Sequence, residues 1–146
     1  MLDVGSGTGI LTLAMAMMTK NQSARIYGIE HIPELVGMSI KNIEACMPDF
    51  LKTGKIEIKV GDGRLGWADQ DVKFDVIHVG AAPDKVPSAL IEQLKEGGVL
   101  VIPVGPEHGT QKFVKITKKD GKISEQFINS VRYVPLTDAD YQLKSA

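Results

Sequence analysis

Leu2-Asp3-Val4 runs directly into Gly5-Ser6-Gly7-Thr8-Gly9, a short apolar stretch carrying one acid and then three glycines at alternate positions. Glycine at that density lets a backbone turn sharply and approach a bound group where any Cβ would clash. The apolar run Ile10 to Met18 behind it reads as the helix onto whose start the turn opens. The spacing is G-x-G-x-G, whereas dinucleotide sites use G-x-G-x-x-G. Asp3 also lies just ahead of Gly5, where a carboxylate would repel a pyrophosphate and pair with the cationic amino group of a methionine moiety. Gly5, Gly7 and Gly9 with Asp3 therefore favour S-adenosyl-L-methionine over NAD as the ligand, the alternative being a glycine turn that binds nothing.

Two further acids stand where the same ligand would need them. Glu30 ends the stretch Arg25 to Glu30, at a register from which an acid can accept both hydroxyls of an adenosine ribose. His31 follows and could stack on the adenine, or be an ordinary loop histidine. Asp62, between Gly61 and Gly63, is placed to accept the adenine amino group while Gly63 lets the backbone pack close. Gly80-Ala81-Ala82-Pro83 leaves room for a substrate beside a reactive methyl. His78 lies inside an apolar run and reads first as a hydrogen-bonded core residue, second as a base. Trp67 and the group Met15, Met17 and Met18 read as core.

The elements that must position these residues alternate regularly. Arg25 to Glu30, Lys55 to Val60, Phe74 to Val79 and Val99 to Val104 read as strands, joined by helices over Leu35 to Met47, ended by Pro48, and Pro87 to Leu94, closed by Lys95 to Gly98. Phe74 to Val79 is nearly all apolar, as in a parallel strand buried on both faces. Lys112 to Lys118 and Lys122 to Ile128 flank Asp120-Gly121, a hairpin signal, and Val131 to Val134 adds an extended piece. The expected fold is α/β, a doubly wound, mostly parallel Rossmann-like sheet with antiparallel C-terminal strands, its ligand at the carboxyl ends of the strands near the first.

Composition narrows the partners. Lys plus Arg number 17 against 18 acids, so no basic excess exists to neutralise a nucleic-acid backbone, and nucleic acid is not expected. One cysteine, Cys46, and histidines far apart in sequence suit a reducing, cytoplasmic setting without a local metal motif. The longest apolar run is too short to span a membrane.

Taken together, Asp3-Val4-Gly5-Ser6-Gly7, Val60-Gly61-Asp62-Gly63-Arg64, Ile77-His78-Val79-Gly80-Ala81-Ala82, Ile102-Pro103-Val104-Gly105 and Val134-Pro135-Leu136-Thr137 resemble the protein-L-isoaspartate O-methyltransferases over the whole chain. The resemblance implies methylation of the free carboxylate of L-isoaspartyl or D-aspartyl residues in damaged proteins, and a monomer is expected. It implies cofactor contacts at Asp3, Gly5, Glu30, His31, Asp62, Gly63, Thr137 and Gln142. Thr137 also reads as the N-cap of a helix over Asp138 to Leu143. A carboxylate is already a nucleophile at neutral pH, so alignment and exclusion of water matter more than a general base, and no catalytic acid–base pair is expected. The resemblance further implies one domain, residues 1–146, lacking the family's segment ahead of the glycine turn, which covers the cofactor and helps hold the isoaspartyl group. A chain that binds the cofactor without turnover, or a class I methyltransferase acting on a small molecule, is the alternative.

Overall fold

The computed structural model describes residues 1–145. In chain order the elements are β1 (Leu2–Val4), α1 (Ile10–Met18), β2 (Ile26–Glu30), α2 (Pro33–Cys46), α3 (Pro48–Lys52), β3 (Ile56–Val60), β4 (Phe74–Val79), α4 (Ser88–Glu92), β5 (Leu94–Val104), β6 (Gln111–Lys119), β7 (Lys122–Val131) and α5 (Ala139–Ser145), with a 3-10 turn over Gly63–Leu65. They build one seven-stranded sheet in the order β3-β2-β1-β4-β5-β6-β7. The first five of these strands run parallel, and β6 and β7 are antiparallel. The chain leaves β1 toward β2 and β3, then returns to place β4 on the other side of β1. That reversal opens the crevice in which ligands of such sheets bind. No helix among the described residues is long and apolar enough to cross a membrane.

Alternation along β1 sorts its three residues between two cores. Leu2 and Val4 join Ile77 and Val79 of β4 and Leu90 of α4 on one face. On the other face Ala16 of α1 and Val36 and Ile43 of α2 pack on Ile26, Ile56 and Ile58. Asp3 points to this second side, and its register partner on β4 is His78, so the two side chains stand on the same face.

Several boundaries differ from the pattern read in the sequence, each for a local reason. Pro33 and Pro48 begin α2 and α3 at first-turn positions where the missing N–H costs nothing, so α2 starts before Leu35 and a further short helix follows Pro48. Helix α4 stops at Glu92 and the run from Leu94 is strand, not helix end. Leu94 pairs with Phe74, and the register then jumps to Val76 with Val99, leaving Lys95 to Gly98 bulged out with Gly97 at φ 77°. In α1 Thr12 and Ala16, one turn apart, are fully buried, and Leu13 and Met15 pack partly buried against the same core, Met15 as expected. Met17 and Met18 fall outside that stripe and are exposed, whereas Trp67 is buried as expected.

The glycine turn is fixed by geometry. Gly9 adopts φ 82°, and a Cβ there would lie 2.8 Å from Ser39 Cβ on α2, so the turn and α2 touch with no space between them. Gly54 has a similar φ of 67° but open space around it. Gly54→Ala should cost about 1–2 kcal/mol of left-handed strain alone, and Gly9→Ala about 1–3 kcal/mol more for the forced contact. Urea denaturation of both variants checks this, and equal losses would show that the α2 contact yields without cost.

Candidate functional site

The carboxyl ends of β1, β2 and β4 meet around a cavity of about 100 Å³ lined by Gly5, Glu30, His31, Gly63, Gly80 and Ala81. Its far wall is Val134, Pro135, Leu136 and Gln142 from the C-terminal segment. Backbone bonds carry each strand end into the next: Gly5 and Ser6 donate to the Ile29 carbonyl, and Gly80 donates to the Val4 carbonyl.

Asp3 does not open into this cavity. Its carboxylate is 1% exposed, with Oδ2 accepting the Thr12 hydroxyl at 2.6 Å and Oδ1 accepting His78 Nδ1–H at 2.9 Å. The expected direct pairing with a ligand amino group is thus replaced by an internal one, because the parallel register puts His78 beside it and the helix after the turn brings Thr12 over it. The bond leaves Nε2 as the free nitrogen of His78, since a carboxylate can only accept. Thr12 was not singled out in the sequence, although a lone hydroxyl in the otherwise apolar run Ile10 to Met18 was the available signal.

Glu30 does line the cavity. Its Oε1 accepts the backbone N–H groups of His31 and Ile32, and its Oε2 accepts that of Gly7 at 3.0 Å. An ionised carboxylate offers about four acceptor positions, so Oε2 keeps room for one more donor. Gly7 beside it has φ 53°, and a Cβ there would meet nothing within 4 Å, which places an open edge next to that acceptor.

His31 is held edge-on by the C-terminal segment. Nδ1 lies 2.9 Å from the Thr137 carbonyl oxygen and Nε2 lies 2.6 Å from Gln142 Oε1. Thr137 takes part through its backbone, and the residue that caps α5 is its neighbour Asp138, whose Oδ1 accepts the N–H of Tyr141. The strap ahead of α5 lies along the loop after β4: Ala82 donates to the Val134 carbonyl and Leu136 donates to that of Ala82. The extended piece expected near Val134 is therefore a strap across the cleft.

Asp62 stands on the far side of Gly63, at the edge of a second cavity of about 260 Å³ that shares Ile29 with the first. Both of its oxygens face Arg64, at 3.0 Å from Nε to each and 2.7 Å from Nη2 to Oδ2, and Oδ1 also accepts the Arg64 N–H. The hydrogen bonds from Arg64 hold the Asp62 carboxyl below the usual range, against partial burial that acts the other way. Gly63 is obligatory, since a Cβ there would overlap Val4 Cγ1. Among the described residues no cluster of three or more His, Cys, Asp or Glu side chains could hold a metal ion.

Residues 1–141 match the family protein-L-isoaspartate(D-aspartate) O-methyltransferase. The chain is 52% identical to protein-L-isoaspartate O-methyltransferase 1 of Arabidopsis thaliana, over 98% of this chain and 61% of that protein. It is 47% identical to protein-L-isoaspartate O-methyltransferase of Caenorhabditis elegans, over 97% of this chain and 62% of that one. The chain thus spans about three fifths of the length of these relatives. The fold superposes on a PCMT from Plasmodium falciparum in complex with S-adenosyl-L-homocysteine with a TM-score of 0.83 at 34% identity, covering 93% of this chain and 64% of that one.

Two outcomes follow. Asp3→Ala strands the Thr12 hydroxyl and the His78 N–H and should cost about 2–4 kcal/mol in urea denaturation, while Asp3→Asn, which can still accept from His78 and donate to Thr12, should cost about 1 kcal/mol. Equal losses would show that charge, not the bond pair, ties the turn down. His31→Ala removes both side-chain contacts to the strap, so amide exchange across 137–143 should speed up by at least about tenfold while β1 and β4 stay protected. Unchanged exchange there would show that the backbone bonds at Ala82 alone seat the strap.

Proposed function

The chain belongs to the protein-L-isoaspartate(D-aspartate) O-methyltransferase family, and from that premise we propose that it binds S-adenosyl-L-methionine in the cleft above β1. There it transfers the methyl group to the free carboxylate of L-isoaspartyl or D-aspartyl residues in damaged proteins, a first step of repair. The observation that carries this reading is the meeting of Glu30 with the Gly7 N–H at the strand-order reversal, with an acceptor position and open space beside it.

The residues present fit such a cofactor. The cavity lining has acid, amide and imidazole groups and no lysine or arginine, which suits an adenosyl group without phosphates. Glu30 Oε2 accepts a ribose hydroxyl, Asp62 accepts the adenine amino group, and the Gly5 and Gly63 backbones let the ligand lie against the sheet end. Asp3 acts at one remove, by fixing the turn. The cavity of about 100 Å³ is smaller than the ~300–1,000 Å³ of small-molecule sites because the strap sits down on it, so binding displaces the strap from His31 and Gln142 then closes on the ligand.

When bound, the cofactor supplies an electrophilic methyl on a sulfonium. The chain's part is alignment and dryness: small residues Gly80 and Ala81 leave an approach for the substrate carboxylate, and the strap keeps water out. No residue need remove a proton. A cytoplasmic monomer is part of the same reading, and the single cysteine, Cys46, with no second cysteine in the chain to pair with, suits the reducing compartment.

Titration calorimetry with S-adenosylhomocysteine tests the cofactor site: Glu30→Gln should weaken binding about ten- to a hundredfold, the worth of one bond to a charged acceptor. Unchanged affinity, or tighter binding of NAD, would overturn the site. Methyl transfer to an isoaspartyl peptide beside its aspartyl twin tests the reaction, with transfer expected to the former alone. Binding without transfer would leave a cofactor-binding module.

A further inference from the structure

Arg64 has no part in the reading so far, yet three of its N–H groups address the Asp62 carboxylate. Its Nε–H is shared between both carboxylate oxygens, its Nη2 takes Oδ2 and its own backbone N–H takes Oδ1. Three N–H hydrogens thus serve the roughly four acceptor positions a carboxylate has, one of them shared between the two oxygens. A fork of this kind fixes the plane of the carboxylate as well as its charge, which a lysine's single ammonium would not do. The same guanidinium lies 3.9 Å from Asp138 Oδ2, at the head of the helix that carries Gln142. The Asp62 turn and the strap are thereby joined across one cation. His31, on the adjoining strand end, adds to the field that favours the ionised Asp62.

We propose that Arg64 is a positioning residue for cofactor recognition: it clamps Asp62 so that one carboxylate oxygen is presented, in a fixed plane, to the exocyclic amino group of the adenine. The inference rests on the adenosyl reading of the cleft. The shared Nε–H is what makes the clamp usable, because it can settle on one oxygen and leave the other to the incoming donor without breaking the fork. The specificity that results is for an amino group over a carbonyl at the same ring position. A carboxylate held ionised accepts from the amine and repels the carbonyl oxygen.

The test compares S-adenosylhomocysteine with S-inosylhomocysteine, which carries a carbonyl where adenine carries the amine, by calorimetry on the wild-type chain, Arg64→Ala and Arg64→Lys. The wild type should prefer the adenosyl form by at least about tenfold, the worth of one charge-assisted bond. Arg64→Ala should bring the two ligands within about threefold of each other, chiefly by weakening the adenosyl form, and Arg64→Lys, charged but unable to fork, should fall between. Thermal melts establish that each variant is folded, and if Arg64→Ala is not, Arg64→Lys decides alone. An equal loss for both ligands would show a merely structural ion pair and overturn the proposal, as would a wild type that does not discriminate. Failure of the wild type to bind either ligand would overturn the adenosyl reading itself, and this proposal with it.

Discussion

One buried carboxylate, that of Asp3, ties the strand before the glycine turn to the helix after it. It sits on the strand that enters the turn, accepts from Thr12 in the helix that leaves it, and accepts from His78 on the strand across the topological reversal. A charge this enclosed is tolerated only when hydrogen-bonded, and both of its oxygens are. The arrangement converts a liability into a constraint. The turn cannot drift from β1 or α1 drift from β4 without exposing an unpaired acid to an apolar interior. Glu30 pins the middle of the same turn from the opposite side through the Gly7 N–H. The cleft's shape follows from those two carboxylates, one hidden and one facing the open edge.

The sheet was legible because its strands are apolar runs bounded by glycine, and because a parallel sheet buried on both faces leaves that pattern undiluted. Phe74–Val79 and Ile10–Met18 came out residue for residue. The β5 boundary was not legible, since Lys95-Glu96-Gly97-Gly98 carries the composition of a helix stop and serves instead as a bulge whose ends are fixed by pairing with β4. Pairing across the sheet overrode local chemistry. A related limit applies to Met17 and Met18 of α1, which are exposed, because a helix apolar at every position but Thr12 gives little periodicity from which to choose the inner face.

At the site, residue types were legible and their directions were not. Glu30 and Gly63 line the cavity as the spacing suggested, because strand ends and a glycine fix their direction from the backbone alone. Asp3 and Asp62 turned to protein partners instead, and His31, although it lines the cavity, spends both ring nitrogens on the C-terminal segment. Those partners, His78, Thr137 and Arg64, are set by register, by a segment more than a hundred positions away and by a turn's internal geometry. Only the last was within local reach, as an acid and an arginine flanking one glycine.

On the proposed reading this division of labour has a chemical reason. A carboxylate substrate attacking a sulfonium methyl needs no proton moved, so nothing in the cleft must be a reactive acid or base, and polar side chains are free to serve as fasteners. What the reaction does demand is that two ligands meet in line in the absence of water. A strap bound by His31 and by the Ala82 backbone meets that demand only if it can also let go. Its bonds suit that: a few hydrogen bonds at the margin of the core, each worth about 1 kcal/mol net, against the densely packed apolar contacts that hold β1 and β4. The part of the molecule that must move is fastened by the interactions that exchange most readily with water, and the part that must stay fixed is fastened by those that do not.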